Sequence, residues 1–322
     1  MIFEKKVLSA FRSTLLKRAD DTGAVFYYSA ENFEGLNTLG YEFFGNRGQR
    51  LVGSFYFYGE MSCERIVVFD HGMGGGHRSY MKEIERLASF GYTVLAYDHT
   101  GCMESEGEHI GGFSQSLADL DHLLLSLKLD PKYAKASVSV VGHSWGGFST
   151  LNISALHPHI SHVVAISGFT SVKRILRQYL AGPLRLYVPA ILRMEREANG
   201  TYADFDAVES LKSSSAKALI IHSPDDKAVS FKGHFLRLKK KLANRAADTF
   251  FLSPQGKGHN PNYTEDAVKY KDEFVAKLSA FYKSEDAKDA ETRARFKSQF
   301  DWDRMTKQDD TVWQRIFYFL DK

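Results

Sequence analysis

The sequence predicts an α/β protein built on a doubly wound, mostly parallel sheet. The first observation is a series of short, continuous apolar segments, which is the pattern of strands buried on both faces. The second is that segments of helical period separate these strands, as in repeated strand–helix–strand units with right-handed crossovers. The third is a length of 322 residues, which is enough for one large sheet covered by helices on both faces.

The elements follow one another in a regular order. Residues 1–20 carry apolar side chains at helical spacing, which predicts a short amphipathic helix. Residues 41–59 are rich in aromatic side chains and contain Gly45 and Gly48, which predicts two strands joined by a turn. Buried strands are then expected at residues 64–70, 92–97, 137–141, 162–167, 218–222 and 249–252. Helices are expected between the first of these, at about residues 78–90, 114–129 and 145–156.

One interval is longer than a simple crossover requires. About 45 residues separate the strand at 162–167 from the strand at 218–222, and they are helical in pattern. We interpret residues 170–215 as a helical cap inserted into a core that is formed by residues 1–169 and 216–322. A scaffold helix with a long connection is the alternative.

The cap segment has a composition of its own. Between Lys173 and Asn199 it carries six cations against two acids, an excess that suits a substrate with an anionic portion, although a solvated helix face is the simpler interpretation. Its apolar side chains are candidates for an acyl pocket. These are Ile175, Leu176, Tyr179, Leu180, Leu184, Leu186, Tyr187, Ile191 and Leu192.

The last part of the chain predicts a further helix. Residues 311–320 are apolar at i, i+3, i+4 and i+7, which favours a helix packed on the sheet. A helix that joins two copies into a homodimer is the alternative.

The composition excludes several classes of protein. The chain is 43% hydrophobic and 25% charged, and its net charge of +3 gives no indication of a nucleic-acid partner or an anionic membrane. Two cysteines, Cys63 and Cys102, are too few for a disulfide framework. Charges stand where a signal peptide needs an apolar run, and no apolar stretch reaches the roughly 20 residues of a transmembrane helix. We therefore expect a soluble, cytoplasmic protein.

The residues Gly-His-Ser-Trp-Gly at 142–146 lie between a predicted strand and a predicted helix. The pattern G-x-S-x-G alone is weak, but a strand–turn–helix context forces its serine onto a sharp turn with an exposed hydroxyl. Gly142 and Gly146 relieve clashes that side chains would cause there. This segment resembles the nucleophile elbow of the α/β-hydrolase superfamily, in particular its serine esterases and lipases. The resemblance implies that Ser144 is the nucleophile.

Two later turns extend the resemblance. The superfamily orders its catalytic residues as serine, acid and histidine, with the last two on turns that follow later strands. Asp225 and Asp226 follow the strand at 218–222, and the superfamily's spacing of three residues before a valine, here Val229, favours Asp226. His259 follows the last predicted strand. By this resemblance, the catalytic triad consists of Ser144, Asp226 and His259. Asp225 remains the alternative for the acid.

The glycine-rich segment at 70–76 resembles the oxyanion loop of the same superfamily. By that resemblance, the backbone N–H groups of Met73 and Trp145 are expected to donate to the oxyanion. His71 and Gly72 are expected to support the loop. Each such donor typically contributes about 3 kcal/mol of transition-state stabilisation.

The resemblance implies a serine hydrolase that cleaves a carboxylic ester of a small-molecule acyl substrate through an acyl-enzyme intermediate. The same residues serve a thioesterase, an acyltransferase or a peptidase. A hydrolase-fold binding module with a silent site is the alternative from another class.

No cofactor or metal ion is expected. The turn at 72–76 lacks the spacing G-x-G-x-x-G of dinucleotide-binding loops. His157, His159 and His162 stand around Pro158 without a cysteine or carboxylate nearby in the sequence. We interpret these three histidines as solvated loop residues rather than as metal ligands.

Overall fold

An eight-stranded sheet forms the centre of the molecule. The computed structural model describes residues 2–252 and 254–322, so Met1, where the predicted first helix begins, and Ser253 lie outside the described residues. The strands are β1 (Leu36–Phe44), β2 (Arg50–Tyr58), β3 (Arg65–Asp70), β4 (Thr93–Tyr97), β5 (Ser137–His143), β6 (His162–Ile166), β7 (Lys217–His222) and β8 (Asp248–Leu252). Their order across the sheet is β1-β2-β4-β3-β5-β6-β7-β8. The pairs β1–β2 and β2–β4 are antiparallel and all later pairs are parallel, which confirms the predicted fold class.

Helices connect the strands and cover the sheet. They are α1 (Ile2–Leu15), α2 (Met81–Ser89), α3 (Gln115–Leu129), α4 (Trp145–Ile153), α5 (Val172–Tyr179), α6 (Val188–Asn199), α7 (Ala207–Lys212), α8 (Phe235–Lys241), α9 (Glu265–Phe281), α10 (Ala290–Lys297), α11 (Trp302–Met305) and α12 (Asp310–Leu320). The predicted bounds differ mainly at element ends. The first strand begins at Leu36 rather than at residue 41, because residues 36–40 continue the antiparallel pairing with β2.

The central strands divide their side chains between two cores. In β3, Ile66 and Val68 face one core, whereas Val67 and Phe69 face the other. The first core is covered by helices that include α3, α4 and α8, and the second by α2 and α12. Burial on both faces is the physical reason for the continuous apolar runs in the sequence.

The interval at 170–215 contains α5, α6 and α7, with a 3-10 helix at Gly182–Tyr187. Helix α6 is tied to the core by the buried carboxylate of Glu195, which accepts the backbone N–H groups of Phe113 (2.8 Å) and Ser114 (3.1 Å). Burial raises the pKa of Glu195. This carboxylate joins α6 to the segment that leads into α3. The prediction that the interval acts as a cap stays a prediction.

Helix α12 packs on the sheet through Trp313, which is fully buried in the second core. The Trp313 indole Nε1–H also donates to Gln308 Oε1 at 2.8 Å. The Asp309 carboxylate caps the start of α12 by accepting the backbone N–H groups of Thr311 and Val312. The prediction of a final helix that packs on the sheet is confirmed.

A buried ionic cluster lies at the carboxyl ends of β3 and β4. His99 places Nε2 2.7 Å from Asp70 Oδ1 and Nδ1 3.3 Å from Asp119 Oδ2, and all three side chains are fully buried. Burial lowers the pKa of His99, but the two carboxylates outweigh burial and raise it to about 9. The charged imidazole therefore balances buried carboxylates beneath the loops that follow these strands.

Removing the Trp313 side chain should destabilise the fold. We expect Trp313→Ala to lower the free energy of unfolding by about 3–5 kcal/mol, because it leaves a cavity in the second core. Tyr318→Ala on the same helix, where the side chain is 63% exposed, should change it by about 0.5 kcal/mol or less. Urea denaturation of both variants measures the difference. Equal effects of the two variants would contradict the packing of α12 on the sheet.

The ionic cluster predicts a loss of stability at alkaline pH. In the unfolded chain an imidazole loses its proton near pH 6.5, whereas folded His99 keeps its proton until about pH 9. Unfolding therefore releases a proton between these values, and the stabilisation, complete below about pH 6.5, is lost as the pH rises through 9. The contribution is on the order of 3 kcal/mol.

Denaturation curves between pH 6 and about 10 measure this loss. We expect His99→Gln to be less stable at neutral pH and to lack this part of the pH dependence. If that variant does not fold, NMR titration of the His99 ring in the unaltered protein gives the same answer. A ring that is already neutral at pH 7 would rule out the ionic cluster.

Candidate active site

Ser144 links the end of β5 to the start of α4 in a strained backbone conformation. Its φ of 58° and ψ of −108° lie outside the regions that residues with side chains normally occupy, at a typical cost of about 1–3 kcal/mol. The Ser144 N–H donates to the carbonyl oxygen of Ile166 at 2.9 Å, which holds the turn against β6. The sequence predicted this sharp turn from the motif and its context.

Two glycines permit the turn. A Cβ on Gly146 would lie 2.8 Å from the carbonyl oxygen of His71 and closer still to that of Asp70. A Cβ on Gly142 would lie 2.7 Å from the carbonyl carbon of Gly146. No side chain fits at either position, so α4 packs directly against the end of β3.

The structure brings the three residues of the predicted triad into one hydrogen-bonded chain. Ser144 Oγ lies 2.8 Å from His259 Nε2, and His259 Nδ1 lies 2.8 Å from Asp226 Oδ2. Ser144 and His259 are half-buried, whereas the Asp226 carboxylate is fully buried. Residues separated by 115 and 33 positions in the sequence therefore meet at the carboxyl edge of the sheet.

The Asp226 carboxylate is held from several sides. Its Oδ1 accepts the backbone N–H groups of Ala228 (2.8 Å) and Val229 (2.9 Å), and His222 Nε2 lies 3.2 Å from Oδ2. Burial raises the pKa of Asp226, but the hydrogen bonds from His222 and His259 outweigh burial, so the pKa falls well below its usual range. The carboxylate is therefore ionised at neutral pH.

His222 is a member of the site that the sequence did not reveal. It ends β7, is buried, and also places Nε2 2.9 Å from the carbonyl oxygen of Val229. Both partners are oxygen acceptors, so this nitrogen carries a proton. In the sequence, His222 stands four residues before Asp226. This spacing does not indicate a contact unless the conformation of the intervening turn is known.

Asp225 lies next to the acid but contacts different groups. It accepts the Ser223 hydroxyl at 2.8 Å and the backbone N–H groups of Gly256 (3.0 Å) and Gly258 (3.3 Å). These glycines belong to the loop that carries His259. The two neighbouring carboxylates therefore divide the contacts, since Asp226 holds the imidazole and Asp225 holds the backbone of its loop.

His143 holds the same loop from the opposite side. Its Nε2 lies 2.8 Å from the backbone carbonyl oxygen of His259, and its Nδ1 lies 2.9 Å from the Tyr80 hydroxyl. Burial, aided by the neighbouring His259, lowers the pKa of His143 well below its usual range, so the ring is neutral. Its Nε2–H then donates to His259 while Nδ1 accepts from Tyr80. The sequence alone did not reveal these hydrogen bonds.

His71 fixes the loop that is predicted to supply an oxyanion donor. Its Nδ1 lies 2.7 Å from the Gly72 carbonyl oxygen, and its Nε2 accepts the backbone N–H of His99 at 3.0 Å. Burial and the charge of His99 lower the pKa of His71 to about 3, which makes the ring neutral. Within the described residues, the backbone N–H groups of Met73 and Trp145 donate to no protein acceptor. Their role as oxyanion donors stays a prediction.

Other candidates in the sequence have different surroundings. His157 and His162 are buried, so the interpretation of them as solvated loop residues was wrong. His157 Nε2 lies 2.6 Å from Asp121 Oδ1, and His162 Nδ1 lies 2.9 Å from the Ser161 hydroxyl. Over residues 2–252 and 254–322, no three histidine, cysteine or carboxylate side chains are grouped as metal ligands.

None of the described helices combines the length and apolar character needed to cross a membrane. Both cysteines, Cys63 and Cys102, are free thiols.

Comparison with known proteins identifies similar sequences. The family model described as serine aminopeptidase, S33, matches residues 62–211. The lysophosphatidylserine lipase ABHD12 of Danio rerio is 25% identical over 227 residues, which cover 67% of this chain and 56% of the relative. The Gallus gallus protein of the same name is 27% identical over 195 residues, which cover 58% of this chain and 48% of the relative. The chain thus matches about half the length of these relatives.

Solved structures share the fold. The Pyrococcus furiosus esterase Pf2001 has a TM-score of 0.58 at 16% identity, and the match covers 83% of this chain and 98% of that one. Est1E from Butyrivibrio proteoclasticus has a TM-score of 0.54 at 15% identity, and the match covers 75% of this chain and 99% of that one. The strand order, the turn at Ser144 and these similarities show that the chain has the α/β-hydrolase fold.

Proposed function

We propose that the protein is a serine hydrolase that cleaves carboxylic esters through an acyl-enzyme intermediate. The observation that carries the proposal is the hydrogen-bonded chain from Ser144 through His259 to Asp226 at the carboxyl edge of the sheet. A serine hydroxyl is a weak nucleophile until a base within hydrogen-bond distance removes its proton. His259 Nε2, at 2.8 Å, is in place to do so.

The mechanism follows from the charges of these groups. As Ser144 Oγ attacks the carbonyl carbon, its proton passes to His259 Nε2, and the ionised Asp226 stabilises the resulting imidazolium. The depressed pKa of Asp226 keeps this carboxylate charged. The imidazolium then protonates the leaving alkoxide. Water, activated in turn by His259, attacks the acyl-enzyme and releases the acid.

The developing oxyanion needs donors that are free before the reaction begins. In the proposed mechanism these are the backbone N–H groups of Met73 and Trp145. Each would contribute about 3 kcal/mol to transition-state stabilisation. The neutral His71 ring supports this arrangement, because its two hydrogen bonds fix the loop on which Met73 stands.

The similar proteins favour an ester bond as the target. The curated relatives are named as lipases, and the similar structure of Pf2001 is named as an esterase. The matching family model is that of a serine aminopeptidase, which makes an amide bond the second candidate. A thioesterase or acyltransferase would use the same residues. Hydrolysis of matched aryl esters, thioesters and amides by one preparation separates these activities.

Ser144→Ala should abolish the activity and leave the fold intact. We expect kcat for aryl-ester hydrolysis to fall by a factor on the order of 10⁴ or more, since no other hydroxyl occupies the strained turn. Labelling by a fluorophosphonate probe should disappear together with the activity. Steady-state kinetics and mass spectrometry of the labelled peptide measure the two effects.

Ser89→Ala is the matched control, because Ser89 is an exposed serine at the end of α2. This variant should keep both the esterase activity and the labelling by the probe. A folded protein that the probe does not label would favour a binding module with a silent site. A loss of activity below about tenfold in Ser144→Ala would mean that another residue is the nucleophile.

The two neighbouring aspartates should differ sharply in their effect on turnover. We expect Asp226→Asn to lower kcat by a factor on the order of 10⁴, because an amide cannot hold the required imidazole tautomer or stabilise its cation. Asp225→Asn should cost far less turnover and should instead lower the melting temperature, since Asp225 holds the backbone at Gly256 and Gly258. Parallel kinetics and thermal denaturation compare them. A larger loss of turnover in Asp225→Asn would overturn the assignment of Asp226 as the acid.

A further inference from the structure

The connection between α5 and α6 exposes apolar side chains to an unusual extent. We call residues 179–187 the apolar turn; its sequence is Tyr-Leu-Ala-Gly-Pro-Leu-Arg-Leu-Tyr. Leu186 is 80% exposed, Leu184 and Tyr179 are each 48% exposed, and all residues from 181 to 186 are exposed. The prediction that Leu184 and Leu186 line an acyl pocket was wrong, because both side chains are exposed to solvent. Clustered exposed apolar residues of this kind mark an interaction surface.

Several cations lie beside the apolar turn. A cavity of about 380 Å³ lies beside it, and we call it the cationic cavity. It is lined by Lys173, Arg177, Arg185, Arg193 and Arg196 together with Val188, Pro189 and Leu192. None of these described lining residues is acidic. The cavity therefore concentrates positive charge over an apolar floor.

Three of these cations are not neutralised. Arg193 pairs with Glu4 at 2.8 Å and Arg196 pairs with Asp204 at 2.6 Å. Among the described residues, Lys173, Arg177 and Arg185 have no acidic partner within ion-pair distance. The net charge of +3 does not reveal this concentration, because it averages 42 cations against 39 acids over the whole chain.

The apolar turn begins at the rim of the candidate active site. The Tyr179 hydroxyl donates to the carbonyl oxygen of Ala228 at 2.9 Å, and Gln178 Nε2 donates to the same oxygen at 2.8 Å. The Ala228 N–H in turn donates to Asp226 Oδ1. A surface that binds the apolar turn would therefore lie against the same edge of the molecule as Ser144.

We propose that the apolar turn and the cationic cavity dock the protein on an anionic lipid bilayer. Leu184, Leu186 and Tyr179 would enter the interface, while Lys173 and the arginines contact lipid phosphates. Exposed apolar side chains with a rim of cations are what such a surface recognises. A second copy of the chain fits poorly, because a symmetric contact would oppose the same unpaired cations.

Docking does not depend on hydrolysis, but it gives the proposed function a substrate class. If the protein cleaves esters, then docking presents it with ester lipids of an anionic bilayer. This second step rests on the proposed function, whereas the first does not. The two are therefore tested separately.

Vesicle sedimentation tests the docking. The Ser144→Ala protein is used so that no lipid is consumed, with vesicles of phosphatidylcholine alone or of phosphatidylcholine mixed with phosphatidylserine. We expect binding to the anionic vesicles, weakened by added salt and weak to the neutral vesicles. Adding Leu184→Ser and Leu186→Ser should reduce partitioning at least about tenfold, since both side chains lose their apolar burial. Adding Lys173→Glu and Arg177→Glu should abolish the preference for anionic lipid.

Leu129→Ser is the matched control. Leu129 is 81% exposed and ends α3, the helix that leads to the amino end of β5, so its replacement should leave binding unchanged. An equal effect of Leu129→Ser, equal binding to neutral and anionic vesicles, or no binding by folded protein would overturn the proposal. So would displacement by inorganic phosphate beyond that of sodium chloride at equal ionic strength, which would indicate a phosphate site. A dimer that Leu186→Ser dissociates would indicate a protein interface instead.

Hydrolysis of a water-soluble aryl ester by the unaltered protein is measured alongside. If the vesicles bind but this ester is not cleaved, the proposed function fails and docking stands. If the ester is cleaved but the anionic vesicles do not bind, docking fails and the proposed function stands.

Discussion

The close packing of α4 against the end of β3 is the contact on which the candidate site depends. Gly146 lies so near the backbone of Asp70 and His71 that no side chain fits between them. This contact holds Ser144 in a backbone conformation that it would not adopt alone. It also fixes the elbow relative to the loop that carries Met73. The proposed nucleophile and the proposed oxyanion donor are thus positioned by one backbone contact rather than by mobile side chains.

Electrostatics divides the histidines around this contact into two groups. His99 lies between two buried carboxylates and is charged, whereas His71 and His143 lie among hydrogen-bonding neighbours without a carboxylate contact and are neutral. Neutral rings can donate at one nitrogen and accept at the other, and His71 and His143 do both. Each therefore links two segments of backbone or side chain. Such fixed polar links hold the His259 loop and the loop that carries Met73 in place.

The sequence predicted best those features that depend on where a strand or a turn lies in the sheet. Strands buried on both faces leave continuous apolar runs, and turns that follow neighbouring parallel strands meet at one edge, so Ser144, Asp226 and His259 could be placed together. It did not predict which atoms hold these residues. The contacts of Asp225 with Gly258 and of His143 with His259 depend on how loops curve in space. The path of a loop leaves no periodic pattern in the sequence.

Net charge over the whole chain does not describe local interaction surfaces. Charge summed over the chain is near neutral, yet the segment between Lys173 and Asn199 carries an excess of cations, and the fold places Lys173, Arg177 and Arg185 around one cavity. An electrostatic surface acts over about one Debye length, roughly 8–10 Å at physiological salt, so a bilayer would respond to this cluster rather than to the total. The apolar turn adds contact at the same edge as Ser144. Under the docking proposal, a lipid ester would therefore reach the nucleophile directly from the bilayer surface, and the orientation of the bound protein would contribute to substrate selection.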